Sequence, residues 1–174
     1  MRSDGEVVTA QAEFPDELQR MHRARLEAMG EASTYDLSPS STESEQLVAA
    51  EKFLSEPLVR LAVGCLPGRG SGSPPGFKEA TQLVAANSVA ALRRILRGSN
   101  PEGRGYAAVA LSKLDSLSTE DLRVIERLKN TSTVATQGGC MVTISPAREF
   151  YTNLQRLHYL FDQSDSPRTT PDGE

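Results

Sequence analysis

The sequence predicts an all-α fold of short stacked helical hairpins, with one irregular or β-like segment near residues 131–144. Three observations predict it. Apolar residues recur at helical spacing in one segment after another. Residues that favour helix starts and stops punctuate those segments. Much of the 38% apolar fraction is Ala and Leu, which are strong helix formers. The length of 174 residues suits one domain. Residues 1–12 are expected to be a disordered leader, 13–162 one helical domain and 163–174 a disordered tail. The tail contains Pro167, Pro171 and Gly173 and no large apolar residue.

The first helix is expected over residues 15–31. Phe14, Leu18, Met21 and Met29 share a stripe, with Leu26 at its edge and Gly30 as a stop. A polar linker containing Pro39 follows. Thr42 with Glu45 then fits a capping box that opens a second helix. Its inward residues are Leu47, Val48, Ala50, Phe53 and Leu54. Pro57 ends or kinks that helix, or starts a short new one over residues 57–63. Residues 64–76 contain five glycines and three prolines, the composition of a mobile loop.

Helices are next expected over residues 77–86 and 88–97. The second of these is capped by Asn87 or Ser88, points Val89, Leu92, Ile95 and Leu96 inward, and is stopped by a left-handed Gly98. Asn100-Pro101 pairs an N-cap with proline at the first helical position. That helix holds Tyr106, Val109, Ala110, Leu111 and Leu114. Ser118 with Asp121 opens another, whose stripe is Leu122, Ile125 and Leu128, with Val124 beside it and Asn130 near its end. Val134-Ala135-Thr136 is expected to pair with Met141-Val142-Thr143 in a hairpin across Gly138-Gly139. Ser145-Pro146 starts the last helix, with a seam of Phe150, Leu154, Leu157 and Phe161 and with Tyr151 and His158 beside it.

Residues 89–96 echo residues 121–128 at an offset of about 30 to 33, which suits a helical-pair repeat. The segment from Asn100 to Leu111, with Gly103, Gly105, Tyr106 and the alanines that follow, resembles the second helix of HEAT-like repeats. The wider stretch from Val63-Gly64 to Gly138-Gly139-Cys140 resembles small bacterial HEAT-like proteins of unassigned function. The segment after Asn130 departs from that pattern, so at most two repeats are readable. The resemblance implies a helical fold and no particular chemistry.

The composition narrows the function classes. Two His and two Cys without local clustering do not make a structural zinc site, and no metal ligand set or cofactor is expected. Aromatics at 5% leave little for base stacking, and the net charge of −4 makes nucleic acid an unlikely partner. No apolar run is long enough to cross a membrane. The N-terminus lacks the apolar run of a signal peptide, so a cytoplasmic protein is expected as numbered, exported only if a leader has been removed. Cys65 and Cys140 read as small half-buried hydrophobes, with a disulfide between them as the alternative. Cys140 is also a reactive-thiol candidate, since it follows two glycines and His158 could serve as its base. Glu43 with Glu45, and Glu120 with Asp121, have helix-start explanations, so no catalytic residue is assigned.

Charge is uneven along the chain. Residues 1–87 hold 8 basic and 13 acidic residues, or −5, while residues 88–174 hold 11 and 10, or +1. Arg93, Arg94, Arg97, Arg104, Arg123, Arg127 and Lys129 dominate the basic side. The expected contact surface is Arg93, Arg97, Arg104 and Arg123 with Tyr106, rimmed by the 64–76 loop. The favoured role is a non-enzymatic binding or scaffold module that works through a protein partner. Two alternatives stay open. HEAT-like proteins include lyases and lyase chaperones that attach a tetrapyrrole chromophore to a partner's thiol. An immunity-type inhibitor of a cognate effector is the other.

Overall fold

The structure is a computed structural model that describes residues 44–56, 61–64, 74–130, 133–138 and 141–161. The helix expected at 15–31, the leader, the tail, Cys65, Cys140 and most of the 64–76 loop lie outside the described residues. The protein is mostly helical, as expected, and the β-like segment near 131–144 belongs to a small three-stranded sheet that also takes in residues 63–64.

Helix α1 spans Glu45–Ser55. Its cap is Ser44 rather than Thr42, because extended Ser44 places its Oγ 3.4 Å from the Leu47 amide. Ala50, Glu51 and Leu54 face inward, and Phe53 is exposed at the margin of that face. Residues 61–64 are extended rather than helical, and Val63–Gly64 forms strand β1. It pairs in parallel with strand β2, Thr133–Gly138, through Val63 with Thr136 and Gly64 with Gln137. Gly64 is required there, since a Cβ would collide with the Gln137 carbonyl. Strand β3, Met141–Pro146, pairs antiparallel with β2, and Thr136 faces Thr143. The expected hairpin therefore forms, one-for-one and without a bulge.

Helix α2 is Phe77–Ala85 and α3 is Val89–Leu96. Gly98 is not the left-handed stop. Among the described residues other than glycine, the left-handed ones are Asn87, at φ 49°, and Asp115, at φ 50°. Each closes a helix by the same pair of bonds. The Asn87 amide reaches Val84 O and the Ser88 amide Leu83 O; the Asp115 amide reaches Ser112 O and the Ser116 amide Leu111 O. Asn87 thus ends α2 instead of capping α3.

Helix α4, Pro101–Lys113, is the axis of the fold, with every residue from Pro101 to Leu111 buried. Helix α1 approaches it at Gly103, where a Cβ would strike the Leu54 carbonyl. At Gly105, Val63 and Phe150 leave about the room of one hydrogen. Helix α5, Thr119–Leu128, begins with the expected Ser118–Asp121 capping box. Its buried stripe is Asp121, Val124, Ile125 and Leu128, so Leu122 is exposed and not part of the core. The polar anchor at Asp121 turns the helix away from the apolar-only stripe.

The last expected helix is two elements. Helix α6 covers Ala147–Thr152, and a 3-10 helix covers Leu154–Phe161. Three residues per turn bring Leu154, Leu157 and Leu160 onto one side. Leu160 is accordingly buried, and Leu157 packs at the core's edge.

Candidate functional site

The five residues expected to share a contact surface do not share one. Tyr106 is wholly buried, and its hydroxyl donates to Ala62 O at 2.7 Å. Burial raises its pKa well above the usual phenol value. Arg104 is also interior, and its Nε donates to the Gly98 carbonyl. Arg123 is exposed and pairs with Glu120 one turn back, at 3.1 Å. Only Arg93 and Arg97 come together, and they meet on a carboxylate.

That carboxylate is Asp121, which has no exposed side-chain surface. Arg93 Nε donates to its Oδ2 at 3.0 Å, and Arg97 donates to its Oδ1 at 2.9 Å. The Ser118 amide and hydroxyl donate to Oδ2 at 2.9 and 2.7 Å. Burial opposes ionisation of Asp121, but the Ser118 hydroxyl and amide, then Arg93 and Arg97, overcome it and hold its pKa at about 2. Arg93 also donates to Ser116 O at 3.0 Å, so this cluster ties α3 to the α4–α5 turn.

Arg94 points the other way, to α1. Its Nε and terminal nitrogen donate to both oxygens of Glu51 at 2.6 and 2.7 Å. The pair is bidentate and largely buried. Glu51, which lies among apolar inward positions of α1, was not singled out from the sequence. A charge at the buried phase of a helix was the available signal.

The start of α4 holds the third polar group. Asn100 Oδ1 accepts from the Glu102 and Gly103 amides, both at 3.1 Å, while its Nδ2 donates to Glu56 O at 2.8 Å. Glu102 accepts the Ala135 amide at 3.2 Å, just before β2 begins to pair with β1. Glu102 and Tyr106 sit four residues apart on one face of α4 and pin the two parallel strands where their pairing begins. Tyr151 lies in the same buried environment. Burial raises its pKa above the usual phenol value; Arg104 opposes that rise and Glu102 adds to it.

The proposed base for Cys140, His158, is half-buried, with Nε2 2.9 Å from Ser112 Oγ. That contact docks the 3-10 helix onto α4. Cys140 itself lies outside the described residues. Among the described residues, no three His, Cys, Asp or Glu side chains cluster as a metal site would require, and no helix is long and apolar enough to cross a membrane.

A few large apolar side chains are also turned outward. Val142 is 60% exposed on β3, Leu122 52% on α5 and Tyr159 44% on the 3-10 helix. The outer edge of β3 pairs with no described strand. Comparison with protein-family models, with curated proteins and with solved structures finds no match to this chain.

Proposed function

We propose that this protein is a helical binding or scaffold module that works through a protein partner, without chemistry of its own. The observation that supports this is the division of labour between its side chains. Glu51, Arg93, Arg94, Arg97 and Asp121, and the polar start of α4, are engaged with one another or with backbone groups. The large apolar side chains of Val142, Leu122 and Tyr159 are exposed. Desolvating such side chains against a partner drives association without any reacting group. The close pairing of α1 with α2 and of α3 with α4 supports reading them as helical hairpins of the HEAT-like kind, stacked to frame a binding surface.

The test is affinity capture with quantitative mass spectrometry, comparing the wild type with Leu122→Glu and Tyr159→Glu. These exposed changes leave the core alone. A partner recovered in stoichiometric amount by the wild type and lost by at least one variant supports the module. The same recovery from all three proteins and from a Val142→Pro variant, or no stoichiometric partner at all, refutes it.

A further inference from the structure

We infer that the outer edge of β3 pairs antiparallel with β3 of a second copy of this chain, about a two-fold axis through Thr143. This rests on the module reading and names a partner for it. The inference begins with which groups on β3 are free. The Ala135 amide bonds to Glu102, so it points away from β3. Backbone direction alternates along a strand, so Val134 and Thr136 bond toward β3, and their partners Ser145 and Thr143 bond back. Val142 and Ile144 therefore direct their amides and carbonyls outward.

Those four groups are self-complementary. With Thr143 opposite Thr143 of the other copy, Val142 faces Ile144 across the axis, twice. Each such pair exchanges two N–H···O bonds, so all four outward groups are satisfied. The side chains brought together are β-branched and uncharged, and a Thr–Thr pair occupies the axis, a favourable cross-strand set. The contact closes on itself as a two-fold interface must.

The edge also lacks the features that keep strands apart. No residue from Met141 to Pro146 is charged, and the register with β2 has no bulge. Proline occurs only at the strand's last position. Self-pairing opposes no like charges within the strand.

Sedimentation equilibrium of the full chain over a hundredfold concentration range tests this, together with Val142→Pro. That substitution removes an outward amide and no bond to β2. The expected result is a wild type that reaches twice the monomer mass and a Val142→Pro variant that stays monomeric with an unchanged helical circular dichroism spectrum. Should Val142→Pro not fold, Thr143→Cys in a Cys65→Ser, Cys140→Ser background serves instead. The axial thiols are then expected to cross-link the dimer under mild oxidation. A monomeric wild type, a dimer that persists in folded Val142→Pro, or an axial cysteine that does not cross-link overturns the inference. If the protein is monomeric yet still captures a different protein through Leu122 or Tyr159, the homotypic pairing is wrong and the module reading stands.

Discussion

Replacing Asp121 with Asn keeps an acceptor at the start of α5 and removes the charge that Arg93 and Arg97 share. The carboxyl titrates at about 2 in the folded protein against an ordinary value of 3.8. That difference corresponds to about 2 kcal/mol of native-state stability. The sign follows from the lowered folded value. The contribution is fully present above the unfolded pKa, near pH 4, and is lost as pH falls through about 2. The Ser118 hydroxyl and amide contribute most to the lowered value, followed by Arg93 and Arg97. Urea denaturation followed by circular dichroism, at neutral pH and in steps down to about pH 2, separates the effect from other carboxyls. The Asn variant is expected to be about 2 kcal/mol less stable at neutral pH, with the gap closing as acid protonates the wild type. A gap of the same size at pH 7 and pH 2 would show that the ionised carboxylate is not what holds α3 to α5.

Glu51→Ala removes the bidentate carboxylate from the largely buried Arg94 guanidinium and is expected to cost about 3–5 kcal/mol. Glu51→Met with Arg94→Met should recover most of that loss in the same melts, and a double variant worse than the single one would contradict the assignment. Gly103→Ala drives a methyl group into the Leu54 carbonyl. It should destabilise by about 1–3 kcal/mol even though Ala is the better helix former, and a stabilised variant by thermal melting would refute the close approach of α1 and α4. Asp115 holds a left-handed conformation, so Asp115→Ala should lose about 1 kcal/mol. Asp115→Gly should match or exceed the wild type, and equal effects of Ala and Gly would argue against the C-terminal motif of α4.

The helices were legible where local chemistry decides them. Asn100-Pro101, Ser118 with Asp121, and the Gly-flanked Thr and Val run near residue 135 each use a signal of a few residues. Their elements begin where those signals lie. What was not legible depends on distant neighbours. Strand β1 is two residues long and exists because β2 offers bonding groups to it. Leu122 matched the apolar stripe, but the neighbouring Asp121 takes the buried position at its start. Tyr106 and Arg104 looked like surface chemistry because a polar residue in a helix is ordinarily exposed. In α4 that rule fails, because helices, strands and the 3-10 helix surround it on every side.

The polar residues of α4 have a role that leucines could not perform. Packing of Leu92, Ile95, Leu96 and Leu111 drives collapse, yet aliphatic side chains tolerate several arrangements of similar volume. Asn100, Glu102, Arg104 and Tyr106 each bond to a backbone group at one site: Glu56 O, the Ala135 amide, Gly98 O and Ala62 O. A shift of α4 by one residue would leave these groups buried without partners, at a cost of about 1–3 kcal/mol each. They therefore set the register of α4 against α1, β1 and β2, and through β2 the position of β3. The segment most distinctive in sequence is thus committed to holding the hairpin in place. The apolar groups exposed for another molecule lie outside it, on the β3 edge and at Leu122.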